Sequence, residues 1–116
     1  MGGTKRNMLK KDFLTGDLSA DFESEPVHII GMDRVGFNFK WDGDPTGDFG
    51  VQISNDIEDD SSWVDMTLSA PVAAAGAPDT AFIDAETAGA YMRLVYTSTS
   101  GSGNLIGTVS SKSISG

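Results

Sequence analysis

Apolar and polar residues alternate in several short stretches of this chain. The clearest stretch is RVGFNFKW, residues 34–41, where every second side chain is apolar. The apolar set is Val35, Phe37, Phe39 and Trp41. A period of two places successive side chains on opposite sides of an extended strand. The stretch therefore predicts a β-strand with one face in a hydrophobic core and the other in water.

Further strands are predicted at short intervals along the chain. Weaker alternation or short apolar runs cover residues 18–22, 27–30, 49–53, 63–68, 80–83, 91–97 and 104–114, and residues 71–78 are a loop or a weak strand. Turn-forming sequences separate these segments, as in DGDPTGD at residues 42–48 and TSGSGN at residues 99–104. Few windows contain enough good helix formers for three helical turns.

This spacing predicts an all-β fold. We expect an antiparallel β-sandwich, jelly-roll-like, with about eight strands. Alternation along a strand does not say which strands are neighbours. The strand order therefore stays open between a jelly roll and an immunoglobulin-like arrangement.

Composition narrows the chemistry that this fold can carry. The chain has 116 residues, which is the length of one domain. It contains no cysteine, which excludes disulfides and thiolate metal sites. Its one histidine, His28, leaves little scope for imidazole chemistry. No apolar run is long enough to predict a membrane span.

Charge is distributed unevenly along the chain. The net charge is −9, yet Lys5, Arg6, Lys10 and Lys11 lie in the first eleven residues, which contain no acid. We expect residues 1–14 to form an extended basic N-terminal arm and residues 15–116 to form the sandwich domain. The acidic body repels nucleic acid, so we expect no nucleic-acid partner there.

The stretch SNDIEDDSSW, residues 54–63, concentrates acidic residues between two predicted strands. Calcium takes several oxygen ligands, which makes Asp56, Asp59 and Asp60 the candidate metal ligands. Their spacing matches no EF-hand loop. Asn and Asp also favour tight turns, so we favour a hairpin tip and predict no cofactor.

Aromatic residues raise the question of a sugar site. Trp41 and Trp63 each follow an apolar pattern, and we expect both in the core, with stacking on a sugar as the alternative. Tyr91 and Tyr96 have opposite parity, so one of them points away from the core if the strand is regular. The chain has no nucleophile motif and no glycine-rich phosphate loop before a helix, and we predict that it is not an enzyme.

Two segments carry a resemblance to known proteins. They are VQISNDIEDDSSWVDM, at residues 51–66, and YMRLVYTSTSGSGNLIGTV, at residues 91–109. The pattern V-x-I-S-N-D…W-x-D followed by Y-x-R-L-x-Y…S-G-x-G-x-L resembles small virion-associated β-sandwich proteins of bacteriophages, of the decoration or cement kind. A looser form occurs in discoidin-type sandwiches. The matching positions are Ser54, Asn55, Asp56, Trp63, Tyr91, Arg93, Leu94 and Gly103. The match covers residues 49–110, and it departs from the pattern at Ile57, where glycine is usual.

The resemblance implies a non-enzymatic structural virion protein that acts through protein–protein assembly. Such a protein decorates or cements a capsid, or joins the head or tail, and its partners are other virion proteins and copies of itself. We expect the arm to supply the contacts. The candidate partner-binding residues are Lys5, Arg6, Met8, Leu9, Lys10, Lys11 and Phe13. The alternative is a carbohydrate-binding module that recognises a cell-surface glycan.

Overall fold

A computed structural model describes residues 7–29, 32–68, 71–86 and 89–114. The strands are β1 Asn7–Asp17, β2 Phe22–Glu23, β3 Val27–His28, β4 Arg34–Trp41, β5 Thr46–Ser54, β6 Val64–Asp65, β7 Val72–Ala75, β8 Asp79–Glu86, β9 Tyr91–Ser100 and β10 Asn104–Ile114. A 3₁₀ helix spans Asp60–Ser62. Within the described ranges, no helix is long and apolar enough to cross a membrane.

The strands form two antiparallel sheets. The four-stranded sheet has the order β1-β10-β4-β8. In the six-stranded sheet, β9 and β5 are central neighbours; β2 and β3 both pair with the free side of β9, and β6 and β7 both pair with the free side of β5. The predicted antiparallel sandwich is confirmed.

The strand order is that of a jelly roll. The two short strands β2 and β3 share one strand position beside β9, and β6 and β7 share another beside β5. Ten segments therefore occupy eight positions. Between positions, the chain crosses from one sheet to the other at every step except the hairpin from β5 to β6. With β1-β10-β4-β8 in one sheet and the positions of β2, β9, β5 and β6 in the other, the eight positions have the interleaved order of a jelly roll. This settles the order that alternation left open.

The core lies between the facing sheets. From the four-stranded sheet, Phe37 and Phe39 are almost completely buried. Phe49 of β5 packs between Phe39 and Tyr96, with ring centroids 4.9 and 4.8 Å apart. Trp41 is also buried, and its indole N–H donates to the Ala77 carbonyl at 2.9 Å. The predictions for Trp41 and for the buried face of β4 are confirmed.

Two turns at one end of the sandwich are joined by backbone and side-chain hydrogen bonds. The turn after β4 and the turn after β9 contain Gly43 and Gly101, with φ of 76° and 77°. A side chain on Gly101 would place its Cβ 2.0 Å from the carbonyl oxygen of Asp44. The Asp44 and Asp42 carboxylates accept the backbone N–H groups of residues 102 and 104 at 3.1 and 2.7 Å. These acids therefore hold the two turns together.

The boundary drawn at residue 14 needs correction. Residues 7–14, which the sequence analysis placed in the arm, form most of β1 and pair with β10. Lys10, Lys11 and Asp12 interrupt the apolar alternation, which hid the strand. A strand at the edge of a sheet is formed by backbone hydrogen bonds to its neighbour and tolerates charged residues. Lys5 and Arg6 lie outside the described residues.

Candidate functional site

The outer face of the four-stranded sheet carries exposed apolar side chains. Phe13 of β1, Phe82 of β8 and Ile106 of β10 are 88%, 61% and 51% exposed. We call these three residues, together with the polar residues Asn38, Lys40, Thr80 and Thr108 between them, the apolar face. Three large apolar side chains exposed on one sheet face mark it as a candidate contact surface. This face is therefore the principal candidate for an interaction surface.

Cross-strand pairing places the members of this face in rows. Phe13 lies opposite Thr108, Thr108 opposite Asn38, and Asn38 opposite Phe82. The two phenylalanines thus lie at opposite edges of the sheet, with small polar residues between them. The ring of Phe82 lies against Gly36, where an added Cβ would be 2.8 Å from the ring. The absence of a side chain at this glycine lets the ring lie close to the sheet.

A groove crosses the same face. Its volume is about 430 Å³, and Phe13, Ile106, Lys40 and Thr80 are among the residues that line it. Its walls therefore combine apolar surface with an ammonium group and hydroxyl groups. The groove therefore adds concave surface to the apolar face.

The four-stranded sheet differs in net charge from the rest of the chain. Its strands contain five basic and five acidic residues: Lys10, Lys11, Arg34, Lys40 and Lys112, with Asp12, Asp17, Asp79, Asp84 and Glu86. The strands of the other sheet contain one basic and three acidic residues, and the described loops contain nine acidic residues and no basic one. The four-stranded sheet is thus neutral, whereas the remainder of the described chain is strongly acidic.

The predicted partner-binding residues fall into three groups. Lys5 and Arg6 lie outside the described residues. Met8, Leu9, Lys10 and Lys11 lie in β1, whose backbone pairs with β10, and their side chains are outside the described part. Phe13 is exposed on the apolar face. Phe13 is therefore the member of the predicted set that the structure places on a candidate surface.

Sequence reasoning missed Phe82 and Ile106. Each has an apolar neighbour of opposite parity, Ile83 and Leu105, and these neighbours are buried. Two consecutive apolar residues in a regular strand must point to opposite faces. The same parity argument that was applied to Tyr91 and Tyr96 would have found them.

A polar network occupies the outer face of the six-stranded sheet. The Arg93 guanidinium donates from Nε and Nη2 to the Gln52 side-chain oxygen at 2.9 and 2.8 Å. Gln52 donates in turn to the Asp65 carboxylate at 2.9 Å. Arg93 also forms an ion pair with Glu23 at 2.6 Å and lies 4.2 Å above the Trp63 ring. This network spans all four strand positions of the sheet, from Glu23 in β2 through Arg93 in β9 and Gln52 in β5 to Asp65 in β6.

The network corrects the prediction for Trp63. The indole is half-buried on the outer side of the sheet and is not part of the core. Trp63 and Arg93 both belong to the sequence pattern that carries the resemblance. Their contact gives these pattern residues a structural role that links β9 to the hairpin of β5 and β6.

The acidic stretch forms the tip of that hairpin, which confirms the prediction. Asp56 accepts the Glu58 N–H at 3.0 Å, and Asp59 accepts the N–H and the hydroxyl of Ser61 at 3.0 and 2.6 Å. Both hydrogen bonds from Ser61 lower the pKa of Asp59, and the bond from the hydroxyl has the larger effect. Asp60 begins the 3₁₀ helix. Among the described residues, no three acidic or histidine side chains converge on a point that could hold a metal ion.

A second groove runs along the edge of the sandwich beside β1. Its volume is about 450 Å³, and its lining includes His28, Tyr91, Glu25 and Ile57. The His28 and Tyr91 rings lie 5.2 Å apart at an interplanar angle of 31°. Tyr96 is buried and Tyr91 is partly exposed, as the parity argument predicts. One partly exposed tyrosine therefore stands in a concave surface.

No protein-family model matches this chain, and no curated protein sequence matches it. The functional argument therefore depends on the surfaces described above and on the residues that carry the resemblance.

Proposed function

We propose that this chain is a non-enzymatic structural protein of a bacteriophage particle, located in the virion and acting through protein–protein assembly. Its place would be capsid decoration, capsid cement or the head or tail. The observation that carries the proposal is the apolar face on a sheet of balanced charge. The resemblance of residues 49–110 to virion-associated sandwiches supports the phage assignment.

The physical argument begins with the rigidity of the sandwich. Phe13, Phe82 and Ile106 project from strands, so their positions are fixed by the paired backbone. Exposed aromatic side chains on a fixed scaffold lose little conformational entropy when they bind, because each has only two side-chain torsions. Burying them against a partner removes apolar surface from water, which favours association.

The acidity of the rest of the chain favours a protein partner over the genome. Association with DNA requires basic groups that neutralise phosphates, whereas the described loops carry nine acids and no base. The proposed partners are other virion proteins and further copies of this chain.

The first test is whether the protein is a component of particles. Gradient-purified particles of the phage that encodes the chain would be analysed by quantitative mass spectrometry, and we expect its peptides at a fixed ratio to the major capsid protein. Particles that contain none of its peptides, while the lysate supernatant does, would overturn the proposal.

A second test asks whether the N-terminal residues contribute. The protein would be compared with a variant that lacks residues 1–6, because deletion to residue 11 would also remove five residues of β1. If the basic residues Lys5 and Arg6 bind an acidic partner, the truncated protein will remain folded by circular dichroism and bind particles more weakly. Equal binding by both forms would show that residues 1–6 do not contribute to particle binding.

The edge groove supports a second candidate function, a carbohydrate-binding module for a cell-surface glycan. Its carrying observation is Tyr91 beside His28 in a concavity, because aromatic rings stack on the apolar faces of sugars. A glycan array probed with the protein and with Tyr91→Ala tests this candidate. Binding that disappears in the variant would favour it, whereas an array without signal would exclude it for the glycans tested.

A further inference from the structure

We propose that the apolar face binds the same face of a second copy of this chain, which forms a face-to-face dimer with twofold symmetry. This inference deepens the assembly function proposed above and rests on it for its biological role. It is argued from three observations: the distribution of charge, the arrangement of the rows, and the area of the sheet.

Charge selects the face that two copies can share. Each copy carries a net charge of −9, so two copies repel each other on average. Contact through the six-stranded sheet or the loops would bring acids against acids. Contact through the four-stranded sheet brings together two surfaces whose strands contain equal numbers of acids and bases. The exposed pair of Arg34 and Asp84 already neutralises itself within one copy.

The rows allow the face to complement itself. Consider a twofold axis parallel to the strands and midway between β10 and β4, in the plane where the two faces meet. This axis places β1 opposite β8 of the second copy, so Phe13 lies opposite the second Phe82, and Thr108 opposite the second Asn38. In the neighbouring row, Ile106 lies opposite the aliphatic stem of the second Lys40. Each bulky apolar group therefore meets apolar surface of the other copy.

The area that the dimer would bury is that of a weak interface. Four strands spaced about 4.8 Å apart and about eight residues long at 3.3 Å per residue cover roughly 500 Å². Two such faces bury about 1,000 Å² in total, which is near the lower limit for a specific interface. We therefore expect a dissociation constant in the micromolar range and dimers that strengthen when many copies sit on one particle.

The test is sedimentation equilibrium of the full chain across the micromolar range. We expect a concentration-dependent rise toward twice the monomer mass of 12.2 kDa. The double variant Phe13→Ser, Phe82→Ser should raise the dissociation constant at least tenfold. Val64→Ser is the matched control, because Val64 has the same 61% exposure as Phe82 but lies in the other sheet. Circular dichroism would check that each variant is folded. Added salt should strengthen the dimer, since it screens the repulsion between acidic bodies.

A monomer at every concentration, or equal weakening by Val64→Ser, would overturn the inference. The presence of the protein in particles is measured separately from the dimer. A monomeric protein that still enters particles would refute the dimer and leave the proposed function standing. A dimer that depends on Phe13 and Phe82, in a protein absent from particles, would support the dimer and refute the virion role.

Discussion

Replacement of Arg93 by methionine is expected to destabilise the sandwich strongly although the residue lies on its outer side. Methionine keeps an unbranched apolar chain and removes the guanidinium. Only 12% of the Arg93 side chain is exposed, and its partners are Glu23 in β2, Gln52 in β5 and Trp63 just before β6. Loss of the group therefore leaves the Gln52 oxygen without its two donors and uncovers one face of Trp63.

The magnitude follows from the separate contacts. A hydrogen bond from a charged donor contributes about 1.5–3 kcal/mol. A cation–π contact contributes about 0.5–2 kcal/mol. The ion pair adds at most about 1 kcal/mol, because Glu23 is 59% exposed. These contributions are not additive, so we expect a loss of about 3 kcal/mol. For a domain of this size, that loss lowers the melting temperature by about 10 °C.

Urea unfolding followed by circular dichroism measures the change, with a lower midpoint and an unchanged slope expected. Two further variants separate the contacts. Glu23→Gln removes only the exposed ion pair and should cost less than about 1 kcal/mol. Arg93→Lys keeps the charge but loses the planar fork, so it should resemble Arg93→Met more than the wild type. The reasoning fails if Arg93→Met costs no more than Glu23→Gln.

Three other changes test separate parts of the structure. Gly101→Ala should destabilise by at least about 2 kcal/mol because of its positive φ and its approach to the Asp44 carbonyl, whereas Gly50→Ala, whose nearest contact would be 3.4 Å, should change the unfolding midpoint little. Burial raises the pKa of Tyr96 above 10.0, so its contribution to stability is fully present below pH 10 and is lost as the pH rises through the folded-state pKa. The Tyr96 hydroxyl has no hydrogen-bond partner in the described part of the chain; Tyr96→Phe should thus be at least as stable at neutral pH and flatten the alkaline pH profile. Calcium should release no heat in calorimetry and leave the melting temperature unchanged, because no three acidic side chains of the described residues converge on one point and Asp59 Oδ1 already accepts both hydrogen bonds from Ser61.

The candidate surface was only partly readable from the sequence. Phe13 was predicted to bind a partner, but as part of a free arm and not as one edge of a sheet face. Phe82 and Ile106 are separated from it by 69 and 93 residues of sequence. They meet on one face because β10 lies between β1 and β4, and β4 pairs with β8. No local pattern records such neighbours.

The sequence by itself determined the class of fold, because alternation is a local property. A strand with a period of two has one apolar face, which must be buried against another layer. Because the turns are closely spaced and few windows favour a helix, that second layer is predicted to be another β-sheet. It also determined the buried side of β4, the hairpin at residues 54–63 and the opposite orientations of Tyr91 and Tyr96.

Only the tertiary structure decided which strands are neighbours. The pairing of β1 with β10 joins the two ends of the described chain through backbone hydrogen bonds. Almost every residue carries the same backbone donor and acceptor, so the side chains of the two strands do not reveal the pairing. The position of Trp63 outside the core likewise depends on Arg93, which lies 30 residues later in the sequence. Contacts between distant segments depend on the strand order of the whole chain, and that order produces both the jelly roll and its apolar face.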